Sequence, residues 1–344
     1  MDTTAGSQSK NLSFYLKRGI GLILLIALSF TFIYSAYTKS GIRFEGLRLM
    51  ANDNAFDSFQ WSFLDLGISS LLAAGIFARV MIGLELLLGL FLLFHIYLRS
   101  FTYKAVIGVL VIFIIYLLLV IARQGNSGNC GCFGDSIAMK PLTAIWKNLI
   151  MIAVTVVLMF IYPVRPYKHQ EYVSLVIGLV SFTTPFVINN IYTGSAPERY
   201  PNSIRLDLLY KFDQKPAIDL SKGKHILAFM SFTCPHCRKA AYLLQIIHRQ
   251  HPELPIYMVL DGPEEYRKEF FAETHAEHVP LVYYHHTAEF DTLVRAGYKS
   301  TETPGVPAIY WINNGKLEYK SKYAYYQLDP KYMKQWISSD APLQ

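Results

Sequence analysis

Two short cysteine motifs and one carboxylate hold most of the chemistry this chain is equipped to do. In FMSFTCPHCR, Phe229 to Arg238, Cys234 and Cys237 stand across Pro235 and His236. The apolar run that ends at Thr233 reads as a buried strand, and RKAAYLLQIIHR after it has helical spacing. A strand that stops at the first cysteine and a helix that begins there put its sulfur at a helix N-terminus. Unpaired backbone N–H groups and the helix dipole stabilise a thiolate at that place. Cys234 is therefore the candidate nucleophile. Pro235 falls at the first helical position, where its missing N–H costs nothing, and Cys237 lies one turn on, placed to close a disulfide. A protonated His236 between them would favour the Cys234 thiolate, stabilise the reduced dithiol and so make the disulfide a stronger oxidant. The competing reading of C-x-x-C is half of a zinc site, which needs a second ligand pair at suitable spacing.

The other two cysteines, Cys130 and Cys132, are separated only by Gly131 in CGCFGDS. They close a disulfide only as a small, strained ring, and strain makes such a bond easily reduced, which suits a relay. Two free thiols and half of a metal site stay open as alternatives. Glu85, in ARVMIGLELLLG, is the third feature. A carboxylate inside hydrocarbon costs on the order of 2.5 to 3.5 kcal/mol even on the lenient insertion scale, so it is expected to face the bundle and have a partner. Lys39 or Arg79 would supply it, and both a structural ion pair and a role in proton or substrate handling remain open. His95 reads as interfacial. Apart from His236, the histidines of the C-terminal part are scattered, and without H-E-x-x-H solvated surface is the default.

The elements that position these residues differ between the two halves of the chain. Across 344 residues, 52% hydrophobic content and a mean hydropathy of +0.26 are too apolar for an ordinary soluble protein. The apolar residues gather in runs at 20–37, 80–98, 105–122, 148–164 and 172–192, about five transmembrane helices. The net charge of +7 comes without a basic stripe interleaved with stacking aromatics, so no nucleic-acid partner is indicated. Lys10, Lys17 and Arg18 precede the first run, Arg99 and Lys104 lie between the second and third, and Arg165, Lys168 and His169 between the fourth and fifth. By the positive-inside rule these are cytoplasmic. Five spans then carry the C-terminal region to the outer face, with the loop that holds Cys130 and Cys132, although Lys39, Arg43, Arg48, Arg123 and Lys140 on that side weigh against the scheme. Residues 1–11 read as a polar tail, and 41–68 as a mixed external segment with an interfacial amphipathic helix. The first span reads as a retained anchor rather than a signal peptide, no small-x-small cleavage site following it.

Beyond the spans, 193–203 reads as a polar linker, and 204–344 as an alternation of strands and helices ending in a hairpin. Pro307 opens the strand AIYWI, which Asn313-Asn314-Gly315 closes. In cis, it would leave backbone groups free to pair with a substrate peptide.

On the strength of Cys234-Pro235-His236-Cys237 and Val306-Pro307, the region from about 200 to 341 resembles a thioredoxin-fold domain. The Pro-His dipeptide is similar to that of DsbA, an oxidising member, and the short intervals between elements are similar to TlpA-type domains. FIYSAYTKSG at 32–41, ARVMIGLELLLG at 78–89 and CGCFGDS at 130–136 resemble the DoxX-like and MauE-like membrane family over roughly residues 15–165. That resemblance implies work with a thioredoxin-like partner, here fused, to promote disulfide formation in the periplasm. The fifth run has no counterpart in the four-helix core of that family and is expected to be a tether.

The expected architecture is an α-helical membrane bundle, residues 1–192, followed by an α/β thioredoxin-fold domain. The expected activity is thiol–disulfide exchange with periplasmic protein thiols or disulfides at a bacterial inner membrane, with Cys234 attacking, Cys237 resolving, Pro307 positioning the substrate, and Cys130 and Cys132 exchanging with them. Oxidant and reductant directions both stay open, as does oligomeric state. No cofactor motif is visible, and a bound quinone is left unproven, since quinone-linked partners usually carry two membrane-side cysteine pairs and this chain has one. An assembly scaffold that binds clients without turnover is the alternative, though it has no need of both sulfurs. A transporter is disfavoured because only Glu85 and His95 read as ionisable groups deep in the spans.

Overall fold

The computed structural model describes residues 3–45, 48–51, 53–126, 130–135, 137, 139–162, 164, 167–189, 194–321, 327–339, 341 and 343. The chain divides into two compact units near residue 191.

The N-terminal unit is helical. α1 (Thr3–Lys39), α3 (Leu71–Leu93), α4 (Tyr103–Gln124), α5 (Pro141–Ile161) and α6 (Gln170–Ile188) are long and apolar enough to cross a membrane, as five spans require. A hairpin of β1 (Ile42–Glu45) and β2 (Arg48–Ala51) and a helix α2 (Asp53–Asp65) follow α1. The external segment is thus only partly the helix that its composition predicts, and residues 3–11, read as a tail, are the first turns of α1.

Two glycines let α3 approach its neighbours closely. A Cβ at Gly89 would stand 2.7 Å from Ile33 of α1, and one at Gly83 would stand 2.8 Å from Phe182 and 2.9 Å from the Ser181 carbonyl oxygen of α6. Small residues at helix crossings do this in bilayers, where packing rather than hydrophobicity drives association. Ser29 Oγ adds a 2.7 Å bond to the Gly89 carbonyl. Leu25, Leu28 and Phe32 of α1, Leu88 and Leu92 of α3, Leu110 of α4 and Leu158 of α5 close one core.

Charged residues proved misleading markers of helix ends. α3 starts at Leu71 and α5 at Pro141, so Arg79 and Lys147 lie inside spans rather than at or before their starts. Lys39, Glu85 and Arg79 are all buried. The expectation of a bundle nearly free of ionisable groups is therefore corrected: each cation is compensated locally by a carboxylate, carbonyls or aromatic faces. Arg165, used for orientation, lies outside the described residues, as do residues 190–192 of the fifth predicted run.

The C-terminal unit holds a six-stranded mixed sheet. Its order is β4 (Glu198–Ser203), β9 (Lys316–Lys320), β8 (Ala308–Asn313), β5 (Lys224–Ser231), β6 (Ile256–Asp261), β7 (Leu281–Tyr283). β5, β6 and β7 run parallel, and β8, β9 and β4 pair antiparallel. Leu227 and Phe229 of β5 join Tyr257, Val259, Tyr310 and Ile312 in one core. Ile226, Ala228 and Met230 between them are also fully buried, as a central strand covered on both faces requires. Asn314 and Gly315, with φ of 46° and 76°, make the two-residue turn from β8 to β9. Helices α7 (Pro235–Gln250), α8 (Arg267–Thr274), α9 (Thr287–Arg295) and α10 (Pro330–Ser338) complete the unit.

This is the arrangement of a thioredoxin fold, with a strand feeding the cysteine-bearing helix and an antiparallel strand entered through a proline. One boundary differs: residues 198–203, assigned from sequence to the linker, form edge strand β4 paired with β9. ERYPNS lacks apolar alternation, and Pro201 is tolerated because the strand is at the edge and the register shifts between Arg199 and Asn202.

Candidate active site

Cys234 is the N-cap of α7 and Pro235 its first residue. The backbone N–H of Cys237 donates to Cys234 Sγ at 3.2 Å. As a thiol, Cys234 donates to the Val306 carbonyl oxygen at 3.4 Å, beside the cis Val306–Pro307 bond. Cys234 is half-buried, whereas Cys237 is wholly enclosed beneath it. Arg238 secures the start of the helix: its guanidinium donates to the Phe232 carbonyl at 3.2 Å and to Glu269 and Glu273 of α8 at 3.0 and 2.8 Å.

The electrostatics follow. The Cys234 thiol is lowered to about 6, first by the hydrogen bond from the Cys237 side chain and then by the backbone N–H groups of Cys237 and His236, against burial. Burial and the same hydrogen bond push Cys237 far up. One sulfur is thus a thiolate at neutral pH while the other keeps its proton. His236 is exposed, and its backbone N–H is among the groups that lower Cys234. Helix geometry delivers that N–H whatever the side chain.

The second cysteine pair sits between α4 and α5. Cys130 N–H donates to the Met139 carbonyl at 2.8 Å, Gly131 turns the chain at φ 68°, and β3 (Cys132–Asp135) follows. Gly134 has φ 56°, and a Cβ there would stand 2.8 Å from the Thr38 carbonyl oxygen, so β3 lies directly on the end of α1. Both cysteines are 7% exposed, and all four cysteines of the chain are thiols in this structure.

Beside Cys132 lies the polar site to which the predicted membrane residues contribute. Lys39 Nζ meets Glu85 Oε1 at 2.6 Å, with the Phe59 and Phe113 rings 4.8 and 5.0 Å from the ammonium. Ser35 Oγ lies 3.1 Å from Glu85 Oε2 and 2.9 Å from the Cys132 carbonyl oxygen, both acceptors for its single proton. Of the two partners proposed for Glu85, Lys39 is the one found. Arg79 is elsewhere, donating to the carbonyls of Gly75 and Asn189 at 2.8 and 3.1 Å and stacking on Phe56 at 4.6 Å. The sequence reading missed Ser35, Tyr116 and Lys147. Pro141 at the first position of α5 was a usable signal that Lys147 belongs inside a helix. His95 lies in a positive-φ turn, 3.1 Å from the Tyr162 hydroxyl. Among the described residues no group of three or more histidine, cysteine or acidic side chains is placed to hold a metal.

Comparison with known proteins agrees with this division. Protein TlpB of Flavobacterium psychrophilum is 29% identical over 339 residues, covering 84% of this chain and 88% of that protein. A thiol:disulfide interchange protein from Bacteroides sp. aligns with 43% of this chain and 93% of its own, at 14% identity and a TM-score of 0.29. One of the thioredoxin family from Chlorobium tepidum TLS aligns with 42% and 99%, at 16% and 0.28. At TM-scores this low the thioredoxin fold stands on its own sheet order, C-x-x-C helix and proline-led strand. Residues 17–161 match the family described as methylamine utilisation protein MauE, leaving α6 outside the match, so over α1 to α5 this membrane protein is similar to MauE.

Proposed function

We propose that the protein is a membrane-bound thiol–disulfide oxidoreductase acting on protein thiols or disulfides in the periplasm. The observation that carries this reading is the pairing of a half-buried Cys234, held at a pKa near 6, with an enclosed, protonated Cys237. The Cys234 thiolate attacks a client disulfide, forming a mixed disulfide and releasing one client thiolate. Cys237 then gives up its proton and attacks Cys234 Sγ, which releases the second client sulfur and closes the Cys234–Cys237 disulfide. The reverse sequence oxidises a client dithiol. Pro307 and the Val306 carbonyl next to Cys234 form the edge along which a client backbone would lie.

Exchange between Cys234–Cys237 and Cys130–Cys132 then carries the electrons to or from the membrane unit, and both steps are thiol–disulfide chemistry that needs no cofactor. The inner-membrane orientation rests on Lys17, Arg18, Arg99, Lys104 and Lys168 at the cytoplasmic edges. The lowered Cys234 pKa stabilises the reduced form and favours oxidation of clients.

Replacement of Cys237 by Ser in cells is expected to accumulate mixed disulfides on Cys234 and abolish turnover. A scaffold that only binds clients would be indifferent to it. The reduction potential fixes direction: about −120 mV marks an oxidant and about −270 mV a reductant.

A further inference from the structure

Both loop cysteines pack in one apolar cluster with Leu117, Ala144 and Ile145, but one of them also meets polar groups. Cys132 also faces a cavity of about 20 Å³, room for one water, whose polar lining is Thr31, Ser35, Lys39, Glu85, Lys147 and Asn148. The charges there do not balance. Lys39 is taken up by Glu85 at 2.6 Å. Lys147 Nζ rests 4.3 Å from the centre of the Phe133 ring, and no carboxylate among the described residues pairs with it. An anion in this cavity would complete the set, and Cys132 is the group there that supplies one.

We propose that Cys132 is the attacking sulfur of the loop pair, that Lys147 is the cation stabilising its thiolate, and that Cys130 is the resolving thiol. This rests on the redox reading given above. Among the described side chains, the remaining charged or titratable groups around Cys132 are the Lys39–Glu85 pair of α1 and α3, Cys130 in the loop, and Tyr116 of α4, which is hydrogen-bonded to Ser62 and near Asp65 of α2. In agreement, the Cys132 thiol is held down, first by the hydrogen bond from Cys130 and then by Lys147 and Lys39, against burial and Glu85, while Cys130 is pushed up. Ser35, bonded to the Cys132 carbonyl, fixes the residue against α1 and α3 and acts as a positioning residue.

In the step this implies, the Cys132 thiolate attacks an incoming protein disulfide and expels one sulfur as a thiolate. Cys130 then loses its proton and attacks Cys132 Sγ, expelling the second. Two electrons pass to the incoming pair. The proton of Cys130 and one from solvent end on the two released thiols.

The test uses the full chain with Cys234→Ser and Cys237→Ser, leaving only the loop thiols, treated with iodoacetamide across pH 5 to 10 and mapped by peptide mass spectrometry. Cys132 is expected to be alkylated before Cys130, with a midpoint below that of an ordinary thiol. Lys147→Met should raise the midpoint by about one pH unit, and Lys147→Arg should restore it. Alkylation of Cys130 first overturns the proposal, and that order is read without any lysine variant, so it stands even if Lys147→Met does not fold. A midpoint unmoved in a folded Lys147→Met chain also overturns it. Exchange with Cys234 is scored separately, by the in-cell redox state of the loop in the otherwise unaltered chain. An activated Cys132 whose redox state ignores Cys234 removes the exchange reading and keeps this assignment. A loop that follows Cys234 but reacts first through Cys130 does the reverse.

Discussion

Cys234 and Cys237 are the same residue type one helical turn apart, yet their protons behave in opposite ways. Cys234 accepts first from the Cys237 side chain and then from the N–H groups of the helix it caps, while Cys237 lies below, where burial opposes charge. Alkylation of Cys234 in the reduced chain is therefore expected to follow a single titration centred near pH 6, with Cys237 inert through pH 8, as rates from pH 4 to 8 would show. Stability follows the same sign. A thiol whose pKa is lower folded than unfolded contributes stability that is complete above the unfolded value, near 9, and is lost as pH falls through about 6. The melting temperature of the reduced chain, relative to Cys234→Ser, should accordingly rise between pH 6 and 8. A gap that does not change with pH would remove the helix-cap account of this thiol.

At the scale of elements, the Lys39–Glu85 pair ties α1 to α3 where Gly89 lets them nearly touch. Taking two charges out of water is expensive, and removing only one strands the other. Glu85→Gln is expected to cost about 3–5 kcal/mol by leaving the Lys39 ammonium without its carboxylate, whereas Lys39→Met with Glu85→Leu should come near the parent stability. Thermal melting in detergent compares them. If the double variant melts normally and loop thiol exchange also persists, the pair is structural. If exchange is lost while melting is normal, the pair serves the chemistry of Cys132.

Across the whole molecule, the connection between the two units is shorter than the linker expected from sequence, because residues 198–203 belong to the C-terminal unit as β4 and Asn189 is held in the membrane unit by its bonds to Arg79 and Ser40. Short tethers still give effective concentrations in the millimolar range, at which weak docking suffices for exchange. Cys237→Ser combined with loss of Cys130 should therefore trap a disulfide between Cys234 and Cys132, running faster on a non-reducing gel and vanishing when Cys234 is also replaced. Thiol labelling that places Cys132 on the cytoplasmic side of intact cells would sink the relay.

What the sequence determined by itself is what local rules control. Five apolar runs demanded five helices, the strand-to-helix change at Cys234 with Pro235 behind it put one sulfur on a helix cap, and Asn314-Gly315 specified a hairpin turn. Val306–Pro307, expected in cis by resemblance, is cis. Tertiary structure decided everything that depends on which helices meet. Lys39 rather than Arg79 reaches Glu85, on a helix that Gly89 lets close on α1, and a partner 46 residues away leaves no periodicity to read. Lys147 looked like a helix boundary, since a lone cation in an apolar run reads as the edge of a membrane. Only the folded bundle, which brings the Phe133 ring up to that cation and sets it beside the cavity that Cys132 also lines, shows how a half-buried lysine is accommodated there.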